Sequence, residues 1–78
     1  MIFTDKTGHL ISDTSLDELH RFAAFIGLKR QWFQDKRIPH YDLTTGRMRE
    51  KAARYGAVLI GSKDIVRKAK EAIYGKSI

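Results

Sequence analysis

Ser15-Leu16-Asp17-Glu18 opens the segment that most restricts how this chain can fold. The spacing is that of a capping box, in which the Ser15 hydroxyl accepts from the Glu18 amide while the Glu18 side chain reaches back. Asp17 and Glu18 also suit the positive end of a helix dipole. Behind them Leu16, Leu19, Phe22, Ala23 and Ile26 recur at three- and four-residue steps. One face of the helix is therefore apolar and needs a second layer to cover it. Gly27 is a natural stop.

The flanking segments supply that layer as short extended pieces. Met1 to Thr4 reads as a strand before the turn signals Asp5 and Gly8. His9-Leu10-Ile11 is either a second extended piece or the approach to the helix. Lys29 to Lys36 mixes charge with aromatics and fits neither period. Ile38 to Leu43 reads as a strand, with Pro39 near its start, where a missing donor is tolerated. Thr44 or Thr45 caps a second helix running to about Tyr55, ended by Gly56. Ala57-Val58-Leu59-Ile60 is a continuous apolar run, the pattern of a strand buried on both faces. Ser62 caps a third helix with Ile65, Val66, Ala69, Ala72 and Ile73 on its apolar side, closed by Gly75.

The order is strand, helix, strand, helix, strand, helix. It predicts one α/β domain over residues 1–78, in two or three layers. A short, mainly parallel three-stranded sheet would pack with three helices. Ligands of such sheets gather at the carboxyl ends of the strands, which here bear Asp5, Asp42 and Gly61-Ser62.

Composition narrows the partners. With 78 residues and 42% hydrophobic content the chain is long enough for one small core, and self-association to an oligomer would add buried surface. A net charge of +6 favours anionic partners, from phosphorylated small molecules to nucleic acid, although a solvated basic surface explains it equally well. There are no cysteines, which excludes disulfides and thiolate metal sites. No apolar run is long enough to cross a bilayer, and the opening residues lack signal-peptide character. The expectation is a soluble cytoplasmic protein.

Trp32-Phe33-Gln34 and Pro39-His40-Tyr41-Asp42 carry the densest chemistry. Two large aromatics, an amide, an imidazole, a phenol and a carboxylate fall within one helix-poor stretch, as in the wall of a polar pocket. On a strand His40 and Asp42 point to one face and Tyr41 to the other. Such a pair can do acid–base work, hold a metal or grip a ligand, a reading favoured over a structural hydrogen bond at a strand end by the nearby Tyr41 and Trp32. His20, His40 and Asp42 are the catalytic candidates, although no motif identifies a reaction and no cofactor is implied. His9 lies in an early loop and His20 beside the apolar stripe, where a satisfied structural histidine is the commoner outcome. Trp32 is more often a core anchor than a stacking platform for a base. Arg47, Lys51 and Arg54, like Lys63, Arg67 and Lys70, form helical stripes that default to solvated faces. Arg47 stands apart, because it falls in the first turn of its helix, where an anion also meets free backbone amides.

Metal ligation has no local signature. No His-x-x-x-His or comparable pair exists, so His9, Asp13, His20, His40 and Asp42 would have to converge from separate elements. No metal ligand is assigned on this basis. Walker, dinucleotide and nucleophile-elbow motifs are also absent.

The ordered set His9, Asp13, Glu18-Leu19-His20, Phe22-Ala23, Gly27, Trp32-Phe33-Gln34, His40-Tyr41-Asp42, Arg47, Ala52 and Gly56-Ala57 resembles the small bacterial and phage family known as domain of unknown function 4031. The resemblance covers about Ile2 to Val58. It implies a compact stand-alone or accessory domain with a polar site using His9, His20, Trp32, Gln34, His40, Tyr41, Asp42 and Arg47, and it brings no activity. The family's usual opening is a longer strand ending in paired acidic residues, where this chain has Asp5-Lys6 and a short loop. If those acids serve a metal in the family, this chain departs from the family at that function.

Three readings follow. The first is a binding protein for a nucleotide or related phosphorylated ligand, which in a phage setting would suit a sponge for a host signalling nucleotide. The second is a metal-dependent phosphoesterase or nuclease. The third is a DNA-binding module, with Leu16 to Trp32 as the start of a helix-turn-helix, a reading that the strand signals after Pro39 oppose.

Overall fold

The turn Asp5–Gly8 decides the sheet. In the computed structural model, which describes residues 1–74, it joins strand β1 (Ile2–Thr4) to strand β2 (His9–Ser12). Four residues are too few for a parallel crossover, so the two strands pair antiparallel, Phe3 opposite Ile11. Asp5 braces the turn: its Oδ1 accepts from the Thr7 amide at 3.0 Å, the Thr7 hydroxyl at 2.7 Å and the His9 amide at 3.1 Å. Gly8 has φ +92° and donates to the Asp5 carbonyl at 3.1 Å. A side chain at Gly8 would strike the Leu43 carbonyl.

Helix α1 (Leu16–Phe25) follows, with Ser15 accepting from the Glu18 amide as its capping residue. The reciprocal half of the expected box is not made. Glu18 turns instead to the Ser12 hydroxyl at 2.5 Å, and the Ser15 amide is taken by Ser12 at 3.2 Å. A single 3-10 turn, Arg30–Trp32, leads into strands β3 (Gln34–Asp35) and β4 (Pro39–Asp42). No second helix stands where a helix-turn-helix needs one. Helix α2 (Gly46–Arg54) is capped by the Thr45 side chain, strand β5 is Val58–Leu59, and helix α3 is Ser62–Tyr74. The Gly61 carbonyl accepts from the Ile65 amide, so α3 starts at Ser62 itself rather than after it. The Gly75 stop lies outside the described residues.

The expected sheet is corrected. Among the described residues it has five strands in the order β3-β4-β2-β1-β5, and it is mixed: only β1 and β5 run parallel, while the other pairs are antiparallel. The three helices and the α/β class stand. Two hairpins account for the difference, one through Asp5–Gly8 and one joining β3 to β4 through Lys36, Arg37 and Ile38. Strand β5 also departs from expectation, because it is an edge strand with Val58 and Leu59 exposed, not a strand buried on both faces.

Two apolar clusters flank the sheet. Ile2, Leu10, Leu19, Ala23, Ile26, Leu28, Tyr41, Leu43, Ala52 and Ala57 fill the side covered by α1 and α2. Phe3, Ile11, Ile65 and Ala69 fill the side covered by α3, with Ile38, Ile60 and Val66 against them. The fold is thus helices on both faces of one sheet. No described helix is long and apolar enough to cross a membrane.

Candidate functional site

The register of β2 against β4 sets His9 opposite Asp42 and Leu10 opposite Tyr41. Side chains alternate along a strand, so His9, His40 and Asp42 share the α3 side while Tyr41 enters the opposite core. Gln34, opposite His40 on β3, joins the first group. The sequence candidates therefore divide between two faces.

On the α3 side, His9, His40 and Asp42 each offer a ligand atom, all within 4.8 Å of one another. The His9 and His40 rings meet edge to face, centroids 5.0 Å apart. His40 Nε2 lies 3.2 Å from Asp42 Oδ1. Every one of the three is held from behind. The His9 Nδ1 lies 3.0 Å from Asp5 Oδ2 and 2.7 Å from the Thr7 hydroxyl oxygen. The His40 Nδ1 donates to the Ile38 carbonyl at 2.7 Å. The Gln34 side-chain amide donates to Asp42 Oδ2. Burial pushes the Asp5 carboxyl up, but the hydrogen bonds from His9 and Thr7 outweigh it and hold that carboxyl below its ordinary range.

On the α1 side, His20 Nδ1 accepts from the Tyr41 hydroxyl at 2.8 Å and from Arg30 Nε at 3.1 Å. Two donors on one nitrogen put the ring proton on Nε2. Burial and then the Arg30 charge depress the His20 pKa, which agrees with a neutral ring. Burial raises the Tyr41 phenol above its usual value. Phe33 packs edge-on against His20, centroids 4.6 Å apart. This is a satisfied histidine–tyrosine pair at the rim of the core, the bland reading considered for His20. It stands apart from the other two histidines.

A cleft of about 660 Å³ opens where β4 ends and α2 begins. Trp32, Gln34, Asp42, Thr44, Thr45 and Arg47 line it together with the apolar side chains of Leu28 and Met48. Trp32 is 45% exposed, so it is not the core anchor that its residue type favours. Asp42 belongs to both the cleft and the histidine cluster.

Residues 3–72 match the family model described as Protein of unknown function (DUF4031). The chain belongs to this family. No curated protein matches the chain, and no solved structure does.

In this DUF4031 domain the eight site residues expected from the sequence thus fall into three groups. His9, His40 and Asp42 come together; Trp32, Gln34, Asp42 and Arg47 share the cleft; His20 and Tyr41 pair on the other face. Of the five residues weighed as metal ligands, His9, His40 and Asp42 lie together. Asp13 sits at the far end of β2 from His9, its Oδ1 accepting from the Thr14 hydroxyl at 3.0 Å. The sequence did not mark Thr7, the Ile38 carbonyl or Arg30 as supports. Asp5 was visible as an acid at a strand end, and its hold on His9 over four residues had no other signal.

Proposed function

We propose that this domain binds a small phosphorylated ligand with an aromatic ring, a nucleotide or close relative, in the cleft between β4 and α2. The observation that carries the reading is one cleft shared by the exposed Trp32 indole, the apolar side chains Leu28 and Met48, and Arg47 from the first turn of α2. The pieces match the ligand's parts. An indole face stacks on a base, worth about 1–3 kcal/mol. Gln34 and Asp42 offer a donor and acceptors to a polar ring edge. The free amides at the start of α2 and the Arg47 guanidinium suit a phosphate. The net charge of +6 adds a general attraction for anions.

The chain's single tryptophan makes the test direct. Titration with AMP, ADP and a cyclic dinucleotide should quench Trp32 fluorescence and raise the melting temperature, since binding only the native state must stabilise it. Arg47→Ala should weaken the phosphorylated ligands and leave the free nucleosides unchanged. Absence of both quenching and a melting shift with every nucleotide at millimolar concentration would end this reading.

A further inference from the structure

We propose that His9, His40 and Asp42 form a binding site for a divalent first-row transition ion, with zinc the best match. The inference goes beyond the ligand cleft and stands whether or not the cleft binds a nucleotide.

The first support is the donor atoms that remain. The Thr7 hydroxyl gives its proton to Asp5 Oδ1 at 2.7 Å, so toward His9 it can only accept. Asp5 Oδ2 also only accepts. The proton between them must therefore sit on His9 Nδ1, leaving Nε2 as the free nitrogen. The Ile38 carbonyl imposes the same tautomer on His40. Gln34 occupies Asp42 Oδ2. What is left free is the Nε2 of each imidazole and one oxygen of Asp42, on three residues that bring ligand atoms within 4.8 Å of one another.

The second support is that all three candidate ligands have a partner of the kind metal ligands use. Histidines on metals nearly always donate their other N–H to a carboxylate or a backbone carbonyl, and ligating carboxylates are themselves hydrogen-bonded. Here the three supports are Asp5, the Ile38 carbonyl and Gln34.

The third support is electrostatic. His40 Nε2 and Asp42 Oδ1, 3.2 Å apart, are both acceptors unless something positive lies between them. A second proton on His40 satisfies that pair alone. A cation satisfies His9 as well.

The geometry is close to what an ion requires. Donors on a tetrahedral ion with bonds of about 2.0–2.1 Å sit about 3.3 Å apart. The His40–Asp42 edge already has that length, and partly exposed His9 is the ligand that has to close on it. Two nitrogens and one oxygen suit zinc, cobalt or iron rather than magnesium or calcium, which take oxygen ligands. Three protein ligands leave a position open, and Asp42 at 43% side-chain exposure places that position toward solvent and the cleft mouth.

The test uses the full chain after chelator treatment. Co(II) is titrated while its visible d–d absorption is read, and Zn(II) is titrated calorimetrically, with Mg(II) as the comparison. The expected result is one ion per chain, a raised melting temperature and no response to magnesium. His9→Gln alters a half-exposed side chain and should keep the fold, checked by circular dichroism, while lowering affinity at least tenfold. Asp5→Asn removes no ligand and should still lower affinity about 10–100-fold through His9. His20→Gln, on the opposite face, should bind as the parent does. Absence of a Co(II) spectrum and of Zn(II) heat overturns the proposal. So does affinity unchanged in folded His9→Gln, or affinity lost equally in His20→Gln.

Discussion

Asp5→Asn probes the link between the first turn and the histidine cluster. Its Oδ1 accepts three hydrogen bonds and its Oδ2 accepts one, from His9 Nδ1. Asparagine can keep the three at Oδ1 and places an NH₂ where Oδ2 was. That group faces the His9 N–H as donor against donor. The substitution thus exchanges a hydrogen bond to a charged acceptor for a neutral one, made once His9 passes its proton to Nε2, at a net cost of about 1–2 kcal/mol, and leaves the turn in place. A chain of 78 residues has a stability of roughly 4–12 kcal/mol, so the loss is a large fraction. The melting temperature should fall by about 10 °C. The sign with pH follows from the depressed Asp5 pKa. Its contribution is complete above the unfolded carboxylate value of about 3.9 and disappears as pH falls through the lower folded value. Urea unfolding of both proteins from pH 7 downward should show the gap between them closing in acid. A companion ¹⁵N NMR spectrum should show His9 moving its proton from Nδ1 toward Nε2. Equal stability at pH 7, or a gap that does not narrow in acid, would refute the reasoning.

Other substitutions test the remaining links. Tyr41→Phe leaves His20 Nδ1 with Arg30 alone and should cost about 1–2 kcal/mol in urea unfolding, with the native fold retained by circular dichroism. His20→Gln should flatten the pH profile: the depressed His20 pKa means that its contribution is present above the unfolded value of about 6.5 and is lost as pH falls through the folded one. Leu19→Ala, at a fully buried position between α1 and the sheet, should cost about 2–5 kcal/mol by the same measurement. Gly8→Ala forces a side chain into a positive-φ turn and against the Leu43 carbonyl, and should lower stability by at least about 1–3 kcal/mol.

The sequence by itself determined the helices. Helices α1 and α3 show an apolar period, α1 and α2 carry a capping residue and a stopping glycine, and these local signals act within a few residues of where they are written; the α3 cap was read one residue late, at Ser62 instead of Gly61. Ser15 and the Leu16–Ile26 stripe needed no partner to be recognised, and the second cap was narrowed to Thr44 or Thr45. The sheet was decided elsewhere. Strands of two to four residues are too short for a period to show, and β3 exists only because Gln34 and Asp35 lie against β4. Strand β5 read as buried because an apolar run carries no information about whether a neighbour covers it; here it lies at the edge.

For the candidate site the division is similar. The residue types were legible, and the alternation that parts Tyr41 from His40 and Asp42 was legible too. Which histidine joins them was not. The hydrogen bonds of Asp5 and Thr7 in the turn and the register of β2 on β4 bring His9 to Asp42, while α1 takes His20 to the other face of the sheet. Proximity between residues thirty positions apart is a property of strand pairing. Only the assembled sheet could decide it.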